Sequence, residues 1–287
     1  MVGLDEFITS VEQAVERNVE YDSGDYKGED GLLYCGRCHI PKQVRTPDNA
    51  FTRATGRAGR IIPCMCKCAV EKWDREQAEL EETQRRFDTE KRRKAAFPDW
   101  SMSAFTFAAD DGKNPKITAA MKRYCENFDR FLAQGKGLLL YGSVETGKTF
   151  MACAIANELI DRGHSCLCTS FSRIEKAAWS VADKQAYFDK LNQFDLLVVD
   201  DLGVERRSGY MLEIVFNVID GRDRAGLPLI LTTNLSMEAF RNPSSVEDER
   251  VFSRILKNCF PVEVEGVKRR REIGRRDYGD MKEILGL

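Results

Sequence analysis

One octapeptide, which lies between an apolar segment and an amphipathic one, constrains the fold of this 287-residue chain more than any other feature. Its sequence, Gly142-Ser143-Val144-Glu145-Thr146-Gly147-Lys148-Thr149, fits the pattern G-x-x-x-x-G-K-[ST]. The apolar run 137–141 before it is typical of a buried strand, and residues 150–162 after it are typical of a helix. In this setting the glycines let backbone amides wrap phosphate oxygens, Lys148 contacts the outer phosphates and the Thr149 hydroxyl ligates Mg²⁺. We therefore predict that these eight residues bind a nucleoside triphosphate.

Two further apolar segments end in polar residues that suit hydrolysis chemistry. Residues 196–199 run directly into Asp200 and Asp201, and residues 229–233 run into Asn234. At the end of a strand, Asp200 is placed to hold Mg²⁺ through its water shell, and Asp201 is placed to act as the general base that polarises the attacking water. We expect the Asn234 amide to orient that water beside the γ-phosphate; the alternative is that Asn234 only caps a turn.

Apolar runs and amphipathic segments alternate after Pro98, and this alternation predicts the fold class. The apolar runs lie at 137–141, 165–171, 196–199, 229–233 and 260–264. Strands that alternate with helices are typical of a parallel sheet in a three-layer α/β domain. Because the run 165–171 separates the Lys148 and Asp200 strands along the chain, we predict that those two strands are not neighbours. The strand at 229–233 is then expected to lie between them.

The first hundred residues have a different composition. Residues 1–30 hold nine acids against two bases, with apolar residues at helical spacing, which predicts a short acidic helix. Residues 41–60 are basic and contain Gly and Pro, which predicts an irregular loop. Residues 67–99 hold nine acids and nine bases without Gly, as in a salt-bridged helix. We therefore predict three parts: an acidic helix and metal-binding module at 1–70, a charged helical linker at 71–98, and a nucleotide-binding α/β domain at 99–287.

Five of the ten cysteines lie before residue 70. Cys35 and Cys38 form a C-x-x-C pair, Cys66 and Cys68 form a C-x-C pair, and Cys64 lies next to the second pair. Two such pairs can close a tetrahedral thiolate site. We predict Zn²⁺ bound by Cys35, Cys38, Cys66 and Cys68, with Cys64 as the alternative ligand and His39 less favoured. The alternative interpretation is that the five cysteines are reduced structural thiols. Residues 31–70, however, contain almost no apolar core that could keep this region folded without a metal.

Charge and hydropathy exclude two classes of protein. The chain carries 44 Lys and Arg against 46 Asp and Glu, so it is not a polycation built for nucleic acid. Its apolar runs are far shorter than the roughly 20 residues of a membrane span. Residues 1–20 carry five acids and one Arg, where a signal peptide would begin with basic residues and an apolar run. We therefore expect a soluble, cytoplasmic protein without membrane contact.

The order of these motifs resembles that of the AAA+ ATPases. Four strings are similar to those of bacterial replicative helicase loaders of the DnaC and DnaI type and of their IstB-type transposition relatives: YGSVETGKT at 141–149, VDDLG at 199–203, TTNL at 232–235 and ERVFSRI at 249–255. The resemblance covers residues 97–275 and implies ATP and Mg²⁺ as ligands, with ATP hydrolysis as the activity. A zinc module before this core resembles the DnaI-type loaders.

The resemblance also implies two arginines that act on the bound nucleotide, the first of them on its γ-phosphate. Arg254 best fits the residue that acts on the ATP of a neighbouring subunit, so that hydrolysis reports self-assembly with ATP; Arg250 lies one helical turn before it. Arg270 best fits the second arginine, which belongs to the same subunit as the nucleotide. The neighbouring Arg269 and Arg271 are alternatives for this role.

The function implied by the resemblance is ATP-dependent loading of a hexameric replicative DNA helicase onto single-stranded DNA when replication initiates. The alternatives are a DNA-stimulated helper ATPase of a transposition system and, from another class, a small-molecule kinase or a nucleotide-binding adaptor that does not hydrolyse ATP. For single-stranded DNA we predict base stacking on Phe171, unless Phe171 is core, and phosphate contacts from Lys268, Arg269, Arg270, Arg271, Arg275 and Arg276.

Overall fold

The structure, a computed structural model, describes residues 22–203, 209–266, 281–282 and 284–285. The chain divides into two units, Met1–Arg86 and Phe87–Leu287. None of the helices in the described ranges combines the length and the apolar composition that crossing a bilayer requires. The boundary between the units falls inside a long helix, so the three-part division at residues 70 and 98 stays a prediction.

The first unit contains two short antiparallel strand pairs. β1 (Tyr26–Lys27) pairs with β2 (Leu33–Tyr34), and β3 (Gln43–Arg45) pairs with β4 (Ile61–Pro63). A short helix, α1 (Ala50–Ala54), lies between β3 and β4 in the chain, and the long helix α2 (Lys67–Ala96) follows β4. The charge pattern over 67–99 predicted this long helix, and its presence confirms the prediction. It ends before Phe97 because Pro98 disfavours helical geometry at the residue that precedes it.

The prediction of an irregular loop over residues 41–60 is wrong, since β3 and α1 both lie there. The side chain of Asn49 accepts a hydrogen bond from the Thr52 amide at 2.9 Å, and the Thr52 hydroxyl accepts one from the Asn49 amide at 3.0 Å. This reciprocal cap stabilises the start of α1. β3 forms by pairing with β4, a long-range contact that local composition does not reveal. The acidic helix predicted within residues 1–30 lies mostly outside the described residues.

A five-stranded parallel sheet forms the centre of the second unit. Its strands are β5 (Gly137–Tyr141), β6 (Cys166–Ser170), β7 (Leu196–Leu202), β8 (Leu229–Thr233) and β9 (Cys259–Glu263), in the order β6-β7-β8-β5-β9. β8 therefore lies between the phosphate-loop strand and the Asp200 strand, as predicted. The carboxyl ends of β5, β7 and β8 meet at one edge of the sheet, where ligands bind in open α/β sheets.

Helices cover both faces of this sheet. They are α3 (Pro115–Glu126), α4 (Phe128–Gln134), α5 (Lys148–Asp161), α6 (Phe171–Ser180), α7 (Lys184–Leu191), α8 (Gly209–Ala225), α9 (Met237–Arg241) and α10 (Val246–Asn258); 3₁₀ segments Trp100–Ala104 and Phe107–Ala109 precede α3. Successive strand residues point to opposite faces. Leu138 and Leu140 accordingly pack in a core with α3 and α5, and Leu139 packs in a second core with α6, α8 and α10. The predicted three-layer α/β architecture is confirmed.

Candidate functional site

The phosphate loop has the backbone geometry of an anion-binding turn. Gly142 has φ +140°, and a Cβ at this position would lie 2.7 Å from the carbonyl oxygen of Val264, so only glycine fits. Gly147, with φ +98°, is the N-cap of α5, which begins at Lys148. The unpaired amides at the start of a helix carry partial positive charge. The loop therefore directs backbone donors of α5 towards the position that a phosphate group would take.

The side chain of Lys148 is buried and is held by the loop itself. Its Nζ donates hydrogen bonds to the carbonyl oxygens of Gly142, at 3.0 Å, and Ser143, at 2.7 Å. Burial lowers the pKa of Lys148, while the nearby carboxylates of Asp201 and Asp200 act in the opposite direction. The ammonium group is thus positioned beside the loop by contacts that phosphate oxygens can replace.

The structure brings the two predicted Mg²⁺ ligands into contact. The Thr149 hydroxyl donates to Oδ1 of Asp200 at 2.8 Å, and the Thr232 hydroxyl donates to the same oxygen at 2.5 Å. Burial raises the pKa of Asp200, and the bonds from Thr232 and Thr149 partly oppose that effect. A hydroxyl and a carboxylate held together in this way fit the oxygen ligands that Mg²⁺ prefers, so the residues suit the ion.

Thr232 lies in one of the four strings that resemble the loaders, but no motif predicts a role for it. The β7–β8 register shifts between Val199 and Leu202, so that Asp200 and Asp201 both lie opposite Thr232. The Asp201 amide donates to the Thr232 hydroxyl at 2.9 Å, and Asp201 has φ +59°, which is uncommon outside glycine. Bulges of this kind re-aim side chains next to functional sites. A polar residue inside an otherwise apolar strand was the available signal.

A cavity of about 720 Å³ joins these groups, a size within the range of small-molecule sites. The predicted residues that line it are Val144, Glu145, Gly147, Lys148, Thr149, Asp200, Asp201 and Asn234. The cavity is also lined by Ser101, Met102, Phe105 and Phe150, which sequence analysis missed because no local pattern links the segment around residue 100 to the phosphate loop. The Phe105 and Phe150 rings lie 5.5 Å apart and give this part of the wall an apolar surface.

Arg254 lies on α10, outside the set of residues that line this cavity. Its Nε donates to Oδ1 of Asp220 at 3.2 Å, its Nη1 donates to the Arg250 carbonyl at 3.0 Å, and its Cζ is 4.9 Å from the centre of the Phe216 ring. The guanidinium is thus fixed by contacts with α8 and with its own helix. Its predicted action on a neighbouring subunit stays a prediction. Arg270, Arg269 and Arg271 lie outside the described residues.

Three of the predicted zinc ligands come together in the first unit. The sulfur atoms of Cys35, Cys38 and Cys66 all lie within 4.8 Å of one another. A hydrogen bond from the Cys68 backbone amide lowers the pKa of Cys38 to about 6. The hydrogen bond between the Cys68 and Cys38 side chains raises the pKa of Cys68 to about 11, which places the fourth predicted ligand beside the cluster. Four thiols in this arrangement fit the donor set of a structural Zn²⁺ site.

The other two candidates point elsewhere. The Cys64 sulfur donates to the Pro41 carbonyl at 3.4 Å, and burial raises the pKa of Cys64. Nδ1 of His39 lies 3.1 Å from the Tyr26 hydroxyl. Cys64 and His39 therefore each have another polar partner, while the choice of the fourth ligand and zinc binding itself stay predictions.

The predicted stacking role of Phe171 is wrong. Phe171 is the first residue of α6 and is 1% exposed, packed in the core beneath that helix, where no base can reach it. The exposed ring on α6 is that of Trp179, which is 75% exposed. The predicted basic residues from Lys268 to Arg276 lie outside the described residues.

Comparison with known proteins gives relatives among replicative helicase loaders and also an ATP-binding protein of an insertion sequence from Mycobacterium tuberculosis, 26% identical over 159 residues. The chain is 29% identical over 167 residues to the replicative helicase loader DnaI of Bacillus subtilis strain 168, which covers 54% of this chain and 52% of that protein. It is 32% identical over 139 residues to the replicative helicase loader DnaC of Escherichia coli strain K12, covering 47% and 54%. The chain thus spans about half the length of the curated relatives it matches.

A solved structure and a family model extend these matches. A proposed primosome component from Streptococcus pyogenes serotype M3 shares 22% identity and a TM-score of 0.50, over 60% of this chain and 92% of the other, which is a likeness of fold alone. The model of the family described as IstB-like ATP binding protein matches residues 71–275, and this range holds the phosphate loop, the Asp200–Asp201 pair, Asn234 and Arg254. The chain therefore belongs to the family of IstB-like ATP-binding proteins, as its motifs predicted.

Proposed function

We propose that this protein is an ATP-dependent loader that delivers a hexameric replicative DNA helicase to single-stranded DNA during replication initiation. The observation that carries the proposal is the convergence of Lys148, Asp200 and Asn234 on one cavity, in a chain whose relatives include two replicative helicase loaders. The convergence supports binding and hydrolysis of ATP, and the relatives support the choice of partner.

In the proposed ATP complex, the amides of the phosphate loop hold the phosphates and Lys148 exchanges its loop carbonyls for phosphate oxygens. Thr149 and Asp200 would hold Mg²⁺, which supplies neutralisation of the phosphate charge when it is bound. Thr232 keeps the Asp200 carboxylate in position through its hydroxyl proton. The apolar wall at Met102, Phe105 and Phe150 lies in the same cavity, and we assign it to the nucleoside end of ATP.

Hydrolysis is assigned to Asp201 and Asn234. Both side chains are exposed and line the cavity; Asp201 lies near the carboxyl end of β7, and Asn234 directly follows β8. Asp201 accepts a proton from the attacking water, and the Asn234 amide orients that water towards the γ-phosphate. Arg254 supplies positive charge to the γ-phosphate of the neighbouring subunit, so that turnover follows self-assembly with ATP. Arg270 is assigned to the ATP that its own subunit binds.

The first unit is assigned to partner binding, with a structural Zn²⁺ held by Cys35, Cys38, Cys66 and Cys68. For single-stranded DNA, Trp179 replaces Phe171 as the proposed stacking side chain, since its ring is exposed on α6. The basic residues from Lys268 to Arg276 supply phosphate contacts in this proposal.

A second candidate is a helper ATPase of a transposition system, which the name of the matching family favours. Both candidates use the same nucleotide residues and differ in their partner. The test is to incubate the purified chain with ATP, a replicative helicase hexamer and closed circular single-stranded DNA, and to measure helicase retained on the circle. Retention that disappears in Lys148→Ala supports the loader. ATPase stimulation by a transposase, without helicase retention, would replace the loader with the transposition helper.

A further inference from the structure

The helix α2 carries apolar side chains that the first unit covers only in part, and Trp73 also lines a cavity formed with residues 22–25 and 35–37. Val70, Trp73 and Leu80 are 40%, 43% and 63% exposed. Together with Gln77 and Gln84 they recur at alternating intervals of three and four residues, which places all five on one side of the helix. An exposed tryptophan and leucine at this spacing form the seam by which one helix packs against another. We call Val70, Trp73 and Leu80 the α2 seam.

Acidic residues border the α2 seam on both sides. In the heptad register set by Trp73 and Leu80, the flanking positions hold Lys67, Asp74 and Glu81 on one side and Glu76 on the other, so three acids stand against one base, and that base lies 3.8 Å from Glu71. All three acids are exposed, and within the described ranges none of them forms an ion pair. Charges at the flanks of a helical seam select the partner, because opposite charges attract and like charges repel.

The charges decide between the possible occupants of the seam. A second copy of α2 would place Asp74, Glu76 and Glu81 against acids of the same kind, so self-pairing is disfavoured. Residues 1–20 of the chain carry five acids and one Arg, so they are disfavoured for the same reason. We propose that the α2 seam binds an amphipathic helix of a partner protein whose apolar stripe is bordered by Lys and Arg. This adds a specific docking surface to the proposed function and involves no nucleotide.

The test uses the full chain and a labelled synthetic helix as the probe. The peptide has about 21 residues, three heptads, with Leu along its stripe and Lys at every flanking position, and its twin carries Glu in place of Lys. Fluorescence anisotropy should show that the Lys peptide binds about tenfold or more tightly than the Glu twin. Leu80→Ser should weaken binding of the Lys peptide by about tenfold, because it removes an apolar anchor. Ala78→Ser, an apolar-to-serine change away from the seam, should leave binding unchanged.

A charge exchange separates a specific seam from general attraction to an acidic surface. Asp74→Lys, Glu76→Lys and Glu81→Lys combined should reverse the preference, so that the Glu twin binds better. The matched control reverses Glu71, Glu79 and Glu82, which lie away from the seam and change the net charge equally; it should keep the preference for the Lys peptide. Helical content, measured by circular dichroism, checks that α2 persists in each variant.

Three results would overturn the proposal. The first is equal binding of both peptides by the wild type. The second is a control triple variant that reverses the peptide preference as the seam triple variant does. The third is a dimer of the wild type that Leu80→Ser dissociates, which would assign the seam to a second copy. Because the measurement uses neither ATP nor a helicase, failure here is distinct from failure of the proposed function.

Discussion

In the second unit, buried apolar side chains cover both faces of the sheet, whereas in the described part of the first unit the only buried apolar side chains are those of Cys35 and Cys66. The first unit instead buries an ion pair, with Lys42 Nζ 2.6 Å from Asp25 Oδ2. A buried ion pair contributes little net stability because desolvation opposes the attraction. The comparison indicates that the second unit is held by its apolar core, and we expect the first unit to depend on its cysteine cluster instead.

The largest expected effect is on the first unit. Cys38→Ser should remove Zn²⁺ and unfold residues 22–66 without unfolding the second unit, because structural zinc supplies about 10–16 kcal/mol in small zinc modules. Elemental analysis should fall from one zinc per chain to none, and limited proteolysis should cleave the first unit selectively. Cys64→Ser is the matched control and should keep its zinc, since the Cys64 thiol bonds the Pro41 carbonyl. Loss of zinc in both variants would contradict the assigned ligand set.

Lys148→Ala should have the next largest effect, confined to the second unit. Loss of the buried ammonium should weaken ATP binding by at least about 100-fold, because charge-assisted bonds to phosphate are lost. Calorimetric titration with ATP measures this, and the zinc content should not change. Asp201→Asn should bind ATP like the wild type and hydrolyse it slowly, because the Asn side chain keeps the shape of Asp201 but cannot accept a proton from the attacking water. Wild-type ATP affinity in Lys148→Ala would refute the site.

Arg254→Ala tests whether the nucleotide cavity depends on a second chain. ATP binding by the isolated chain should hardly change, while turnover stimulated by assembly should fall by about a thousandfold. Mixing Arg254→Ala with Lys148→Ala should recover part of the activity, because the Lys148→Ala chain supplies Arg254 and the Arg254→Ala chain supplies an intact phosphate loop. An absence of recovery, with each variant folded, would place Arg254 in a structural role with Asp220.

In the second unit, the sequence predicted the residues of the candidate site better than it predicted the distant residues that contact them. The position of β8 between the Lys148 and Asp200 strands was predicted, because the apolar run 165–171 separates those two strands along the chain and leaves 229–233 to lie between them. Two kinds of contact join segments that are far apart in the chain, and no local pattern encodes them. They are the contact of Ser101 and Phe105 with the cavity and the hydrogen bond between Arg254 and Asp220. Phe171 was misassigned because the strand ends one residue earlier than its apolar pattern, at Ser170, which caps α6 and directs Phe171 into the core.

In the first unit, by contrast, local sequence predicted the contact between the cysteines but not the surrounding secondary structure. Local spacing alone indicated the grouping of Cys35, Cys38 and Cys66, because a thiolate site needs few other residues. The strand and helix within 41–60 were missed, since the pairing of β3 with β4 and the Asn49 cap are not properties of composition.

The smallest effect should come from Thr232→Val, which keeps the shape of a buried side chain and removes its hydroxyl. This variant leaves the Asp201 amide unpaired and costs Asp200 one hydrogen bond, a loss of about 1–3 kcal/mol. Because the Thr232 bond acts to lower the pKa of Asp200, its removal should raise that pKa further. More Asp200 is then protonated at a given pH, so the acidic limb of the ATPase pH profile should move to higher pH. Thr232→Ser should restore the wild-type profile, since it returns the hydroxyl; a profile that Thr232→Val leaves in place would show that Asp200 does not titrate in turnover.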